Sequence, residues 1–454
     1  MGDRAAPRLP VLLKAGWSIG AVGAVTMLTL LNVMLIYFMV NYLAIDPVVA
    51  GGVVFATRFY DMVFDPCMGW VSDRVATRWG RRRPWMLAAA VISGVTVIAV
   101  FHPPQLDPAT TLPAYMGLML ALYFSGYTMF YIPFMAMPAE MTDDPDERTS
   151  IMSYRTFSSG AGGMVSTSLA PALIPILGGG RHAYDTMSLI VAAIVCGTML
   201  IAVFTTGRAR FTEASRVRVA PRIWIASVVS NRPMMALIAT KLFVYFAISI
   251  GAGINLFFMT SALHRGETGQ AMFGLLFNGT TLVALPAWTR FITGKPKQRM
   301  LAIAIVIWAL ATFSWIVAGP NESDAVFVLR SIAVGVGYGG IVLMVLSMLP
   351  DVIAYDFQRT GLRREGVFSA LFAFVEKTAY AMTPLMVGVV LKFTGYVQGQ
   401  SGAAVQPDHA IWGVRLGASV LPATVALIGL VFLRYYSLDP ARLHGPTHDR
   451  GTPT

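Results

Sequence analysis

Apolar runs of about twenty residues recur along the whole chain, each long enough for a helix to cross ~30 Å of hydrocarbon. They predict helices near Ala15 to Tyr42, Val49 to Asp73, Pro84 to Phe101, Leu112 to Met137, Ser153 to Leu177 and Thr186 to Thr206. A polar, Arg-rich stretch from Gly207 to Pro233 follows, and six more runs lie near Met234 to Met259, Ala271 to Phe291, Met300 to Ala318, Ala325 to Met348, Val367 to Tyr396 and His409 to Tyr436. Lipid leaves no water for unpaired backbone groups, so only helices or closed barrels span it, and these runs are too long and uniform for a barrel. The expected architecture is therefore all-α: about twelve transmembrane helices in two six-helix bundles, residues 1–206 and 234–436, joined by a linker at 207–233 and followed by a tail at 437–454. The first run begins near Trp17 with no cleavable small-residue site behind it, so it reads as a retained helix.

Composition agrees: 56% of the 454 residues are hydrophobic and 13% charged, half the charge of an ordinary soluble domain. A formal charge of +11 would suggest nucleic acid in a soluble protein, but the bases cluster at Arg74 to Arg83, Arg208 to Arg232, Arg290 to Arg299 and Arg359 to Arg364, in alternate loops. By the positive-inside rule those loops and both termini are cytoplasmic. The link between helices 2 and 3 (Asp73, Arg74, Gly80, Arg81, Arg82, Arg83) is echoed between helices 8 and 9 by Arg290, Gly294, Lys295 and Lys297. Paired six-helix halves imply alternating access around a site near the bilayer midplane. Gly16-x-Ser18-x-Gly20 and Gly335-x-Gly337-x-x-Gly340 imitate enzyme motifs, yet both lie in apolar helices with no preceding strand and fit close helix packing better. Cys67 and Cys196 sit in apolar runs, and no His pair has metal-ligand spacing.

The informative residues are charges inside the membrane. Arg58, Asp61 and Asp65 are spaced i, i+3, i+7 and share one face of helix 2. Each costs roughly 2.5–3.5 kcal/mol at the centre of a helix unless compensated. Two carboxylates one turn apart repel, which makes a proton or small cation a natural ligand. Pro66 cannot donate to the carbonyl of Met62 and leaves another oxygen nearby.

The stretch Arg58, Asp61, Asp65, Pro66, Gly69 with Arg78, Trp79, Gly80, Arg83, Pro84 and Trp85 resembles the glycoside, pentoside and hexuronide:cation symporters, the melibiose-carrier-like family of the major facilitator superfamily. So do Asp146, Glu147, Arg148, Thr149, Tyr154 and Arg155 before helix 5, and Met348, Leu349, Pro350, Asp351, Tyr355, Asp356, Arg359, Thr360, Gly361, Arg364, Glu365 and Gly366 before helix 11. The resemblance covers all but the tails. It implies a cation site at Asp61, Asp65 and Thr128, with Lys377 close by. The family's sodium users place an amide before the second acid; Phe64 stands there, which favours coupling to H+ over Na+. Its galactoside carriers hold sugar with acids and a Trp at positions that here are Val25, Tyr131 and Met135.

What remains to face a cavity is aromatic and basic: Tyr37, Tyr127, Tyr131, Arg155, Lys241 and Lys377, with interhelical packing the alternative for the tyrosines and a structural pair, such as Lys377 with Asp61 or Glu376, the alternative for the buried bases. Arg58, Tyr127, Tyr131, Arg155 and Lys377 are the expected substrate contacts, and a negatively charged solute is the expected substrate. Asp73, Arg74, Arg78, Arg82, Glu140, Arg148 and Asp351 are expected to form a cytoplasmic gate. The reading is a secondary active transporter of a cell membrane, with no cofactor, no nucleic acid and no obligate protein partner. A lysolipid or other amphiphile carrier of the same fold is the alternative, and a membrane-embedded enzyme or sensor a distant one.

Overall fold

The computed structural model describes residues 9–75, 77, 79–142, 144–208, 231–360, 365–399 and 404–438. They form twelve helical segments: α1 (Val11–Asn41), α2 (Pro47–Arg74), α3 (Arg83–Phe101), α4 (Thr111–Met141), α5, α6 (Gly180–Thr205), α7 (Arg232–Ser261), α8 (Gly266–Ile292), α9 (Lys297–Val317), α10 (Asp324–Thr360), α11 (Glu365–Phe393) and α12 (Asp408–Leu433). Helix α5 runs from Pro145–Met164 through a π-helical turn at Val165–Leu169 into Ala170–Ile176. Most of the expected linker, 209–230, and of the tail, 439–454, lies outside the described residues. Among those described there is no strand, only one isolated bridge between Thr77 and Gly80.

Eleven of the segments are long and apolar enough to cross a membrane. The exception is α5, whose Ser153, Arg155, Thr156 and Ser159 dilute its hydropathy. A helix that turns a polar face to an internal cavity, as α5 does with Thr156 and Ser159, is less apolar than one that lipid surrounds. Helices α4, α5 and α10 also outrun the expected bounds, because hydropathy marks only the stretch inside hydrocarbon and misses the polar turns beyond it.

The apolar core of the first six helices continues into Phe257 and Phe258 of α7, Leu391 of α11 and Val414 of α12, all at the end of the bundle opposite the termini. A second cluster belongs to α7–α12 alone. The halves are therefore fused at the opposite face. Polar contacts tighten that seal: the Tyr37 hydroxyl donates to Thr260 (3.1 Å), Tyr42 to Glu267 (3.1 Å) and Tyr396 to Asn41 (3.2 Å), and Lys392 pairs with Asp46. Tyr37, expected at the cavity, thus belongs to this seal.

Backbones meet closely here as well. A Cβ added at Gly388 would stand 2.3 Å from the Pro47 carbonyl oxygen, and one at Gly51 would stand 2.4 Å from that of Pro384. Both glycines serve the α2–α11 crossing between halves.

Candidate functional site

Helix α2 starts where Asp46 caps it, accepting from the backbone N–H of Val48 at 2.9 Å, with Pro47 at the first helical position. Its register aims Asp61 and Asp65 at α4, where Thr128 Oγ1 lies 2.6 Å from Asp61 Oδ1 and 2.9 Å from Asp65 Oδ1. From the other half, α11 sends the Lys377 ammonium to the remaining oxygens, 3.1 Å from Asp61 Oδ2 and in close contact with Asp65 Oδ2. Asp61 is 3% exposed and Thr128 fully buried. The three expected ion-site residues are brought together, and a primary ammonium sits where their oxygens converge. Lys377, expected among the substrate contacts, is committed to the carboxylates in this structure.

Arg58 is buried yet makes no ion pair among the described residues. Its Nη2 donates to Asn32 Oδ1 at 2.8 Å, its guanidinium lies 4.7 Å from the centre of the Phe124 ring, and its Nε has no partner. Tyr127 and Tyr131 stack at 5.2 Å, and Arg155 Nη2 donates to the Tyr131 hydroxyl at 3.3 Å, its Nε likewise unpartnered. Arg58, Asp61, Tyr127, Tyr131, Glu376 and Lys377 line one pocket of about 160 Å³. Lys241 is not a free cation of this cavity. It is 1% exposed and held by Glu376 Oε2 (2.8 Å), the Phe372 carbonyl (2.8 Å) and the Phe372 ring (3.5 Å). Burial without a partner is costly, and helix packing supplied the partner inside the same half.

A larger cavity of about 400 Å³ lies between the halves and shares Leu28 and Tyr380 with the small pocket. No charged side chain lines it; Asn32, Asn255, Gln270 and Asn278 do, among Phe258, Trp308, Trp315 and Tyr338. Asn255 Nδ2 donates to Gln270 Oε1 at 2.7 Å, and Asn278 Nδ2 reaches Thr167 Oγ1 of the other half at 2.8 Å. Both π-helical turns, Leu31–Leu35 with Asn32 and Val165–Leu169 with Thr167, border this space, and such turns are frequent at functional sites. Sequence reasoning passed over these amides. Their one signal was an amide inside an apolar run.

The expected gate residues divide. Arg82 joins Asp73 and Glu140, each at 2.8 Å, and donates to Ser72, all within the first half. Asp351 pairs with Lys297 at 2.7 Å within the second, across the link that repeats the first. Arg74 lies over the Trp70 ring at 3.9 Å, and Arg148 Nε donates to the Thr142 carbonyl at 2.9 Å. Arg78 lies outside the described residues.

Comparison with known proteins places this geometry. The "Inner membrane symporter YicJ" of Escherichia coli is 27% identical over 96% of this chain and 94% of its own. The "Sodium-dependent lysophosphatidylcholine symporter 1-A" of Danio rerio is 25% identical over 96% of this chain and 87% of its own. The crystal structure of a bacterial homolog of the human lysosomal transporter Spinster superposes with a TM-score of 0.68 at 13% identity, covering 95% of this chain and 98% of that one, which shows the fold. The family model described as MFS/sugar transport protein matches residues 16–440. A charged pocket beside an inter-half cavity, on a helical frame matched end to end, therefore belongs to a transporter and not an enzyme: the chain is a multi-pass membrane symporter of the MFS/sugar transport family.

Proposed function

We propose that the chain carries a small organic anion together with a cation, a proton rather than sodium, by alternating access, and that Asp61, Asp65 and Thr128 receive the ion as Lys377 leaves. The observation that carries this reading is the Lys377 ammonium lying against both carboxylates. Lys377 acts as a tethered stand-in: it offsets one of the pair's two charges in the empty carrier and yields to the coupling ion in the loaded one. The basic links favour cytoplasmic termini, and with that orientation the sealed face is external.

Proton coupling is supported by the shape of the site. Phe64 stacks on Tyr60 at 5.5 Å and adds no oxygen. Thr128 Oγ1 lies within 2.9 Å of an oxygen of each carboxylate and has one proton to donate, so a proton arriving on one carboxyl would find an acceptor already in place at that hydroxyl. Lowering the pH should stabilise the purified protein bound to its substrate while added sodium has no effect. Strong stabilisation by sodium at fixed pH would count against proton coupling.

The substrate's charge follows from a balance. With Lys241 and Glu376 paired to each other, three cations (Arg58, Arg155, Lys377) and two carboxylates (Asp61, Asp65) remain in or beside the small pocket, an excess of one positive charge that the coupling ion raises to two. An anionic group beside Arg58 and Arg155 would offset it, leaving the uncharged cavity of amides and aromatic rings for the rest of the molecule. That division also suits an amphiphile whose head carries a phosphodiester, a group that lysophosphatidylcholine, named for one relative, bears beside a quaternary ammonium. A thermal-stabilisation screen of uronides, organic acids and lysophospholipids against neutral glycosides tests it. Anionic hits should weaken about tenfold or more in Arg155→Gln, the scale of a lost hydrogen bond to a charged group. Hits confined to neutral solutes would refute the charge assignment.

A further inference from the structure

Outside the transport path, the membrane-facing side of the second half carries a groove of about 770 Å³ between α8, α9 and α10. Its walls are apolar and open: Val283 is 78%, Phe291 54% and Ile303 40% exposed. Helix α8 is the span least covered by protein, with 17% of its apolar window buried. Any such groove fills with hydrocarbon in a bilayer, so apolarity alone specifies nothing. The charges at its mouth do.

On α8 the groove stripe is Val283, Ala287 and Phe291, and Arg290 lies seven residues after Val283, on the same face. On α9 the stripe is Ile303 and Ile307, and Arg299 precedes Ile303 by four residues, again on the same face. Both walls therefore end in a cation on the side of the termini. The link between them adds Lys295, whose Nζ lies 3.6 Å from the centre of the Phe291 ring, so this third cation sits directly against the groove lining. Arg290, Lys295 and Arg299 are exposed and make no ion pair among the described residues, whereas neighbouring Lys297 is taken by Asp351.

We propose that this groove is a binding site for an anionic phospholipid of the leaflet on the side of the termini, its acyl chains on the α8–α9 walls and its phosphodiester among Arg290, Lys295 and Arg299. Three unpaired cations at the headgroup level select a lipid with net negative charge over a zwitterionic one, and their long stems let the charges rise to the interface while their methylenes cover apolar wall. The lipid covers the outer face of the same helix whose inner face brings Asn278 and Thr281 to the central cavity.

Native mass spectrometry of the full-length protein, with phosphatidylglycerol and phosphatidylcholine in competition, tests the assignment. Wild type should prefer phosphatidylglycerol by about tenfold or more, and Arg290→Gln/Lys295→Gln/Arg299→Gln should reduce that preference to about threefold or less. Gly279→Leu fills the groove without a clash, since a Cβ there meets nothing within 4 Å, and should lower phosphatidylglycerol occupancy while leaving thermal stability in detergent unchanged. Arg81→Gln, an exposed cation in the first half, should keep the preference. Inorganic phosphate should not compete. Retention of the preference in the triple variant, undiminished occupancy in Gly279→Leu, equal binding of phosphatidylcholine by wild type, or displacement by inorganic phosphate would each overturn the proposal.

Discussion

Asp61→Asn and Asp65→Asn should each abolish accumulation of substrate against its gradient while the protein still inserts and folds. Either variant leaves Lys377 one carboxylate, because its ammonium contacts both. The buried ammonium thus stays paired, and the fold escapes the penalty of roughly 3–5 kcal/mol that follows an orphaned buried charge. The ion, in contrast, loses half of its anionic site and no longer drives net transport. Exchange of substrate across the membrane needs no net ion movement and should persist, which separates loss of coupling from loss of structure. Accumulation at the wild-type level in both variants would show that the ion binds elsewhere. Lys377→Met provides the converse. It leaves two carboxylates facing each other without their cation, so the variant should be less stable than wild type at neutral pH and regain stability on acidification, when a shared proton replaces the ammonium.

Gly388→Val should cut transport about ten- to hundredfold by wedging open the face opposite the termini. The added side chain meets the Pro47 carbonyl, 2.3 Å from the new Cβ, and backbone oxygen cannot turn aside as a side chain would. Overpacking of this kind costs typically 1–3 kcal/mol. That cost falls on the closed arrangement of the halves, since the contact lies between α2 and α11 and not inside either bundle. The population should therefore shift toward the state open on that face by about the same factor. Ser261→Cys reads this directly in a background lacking Cys67 and Cys196: Ser261 is 8% exposed and bonded to Tyr396 in the sealed face, so an impermeant maleimide should label it slowly in the parent and faster once Gly388→Val is added. Equal labelling and undiminished transport would mean that this crossing does not limit closure.

The helical frame could be read from residue order alone, because the need to satisfy every backbone group in lipid turns each twenty-residue apolar run into a helix, whatever its neighbours are. The charged stripe of α2 was legible for the same local reason: i, i+3, i+7 spacing puts Arg58, Asp61 and Asp65 on one face before any partner is known. Local periodicity also explains what was misplaced. The cavity-facing polarity of α5 blurred its start, and the polar ends of α4 and α10 had no hydropathy to mark them. Choice of partner is where residue order stops being informative. Lys241 and Lys377 are the same chemical group in neighbouring helices of one half, yet packing α11 against α2 delivers Lys377 to carboxylates more than three hundred residues away, while Glu376, one residue earlier on the same helix, turns back to Lys241. Arg58, which has Asp61 one turn along its own helix, is held instead by Asn32. Lys377 already occupies that carboxylate. Asn255, Gln270 and Asn278 acquire meaning only together, from three turns of two helices facing one cavity. Such pairings are decided by distances between elements far apart in sequence, and only the folded bundle sets those distances.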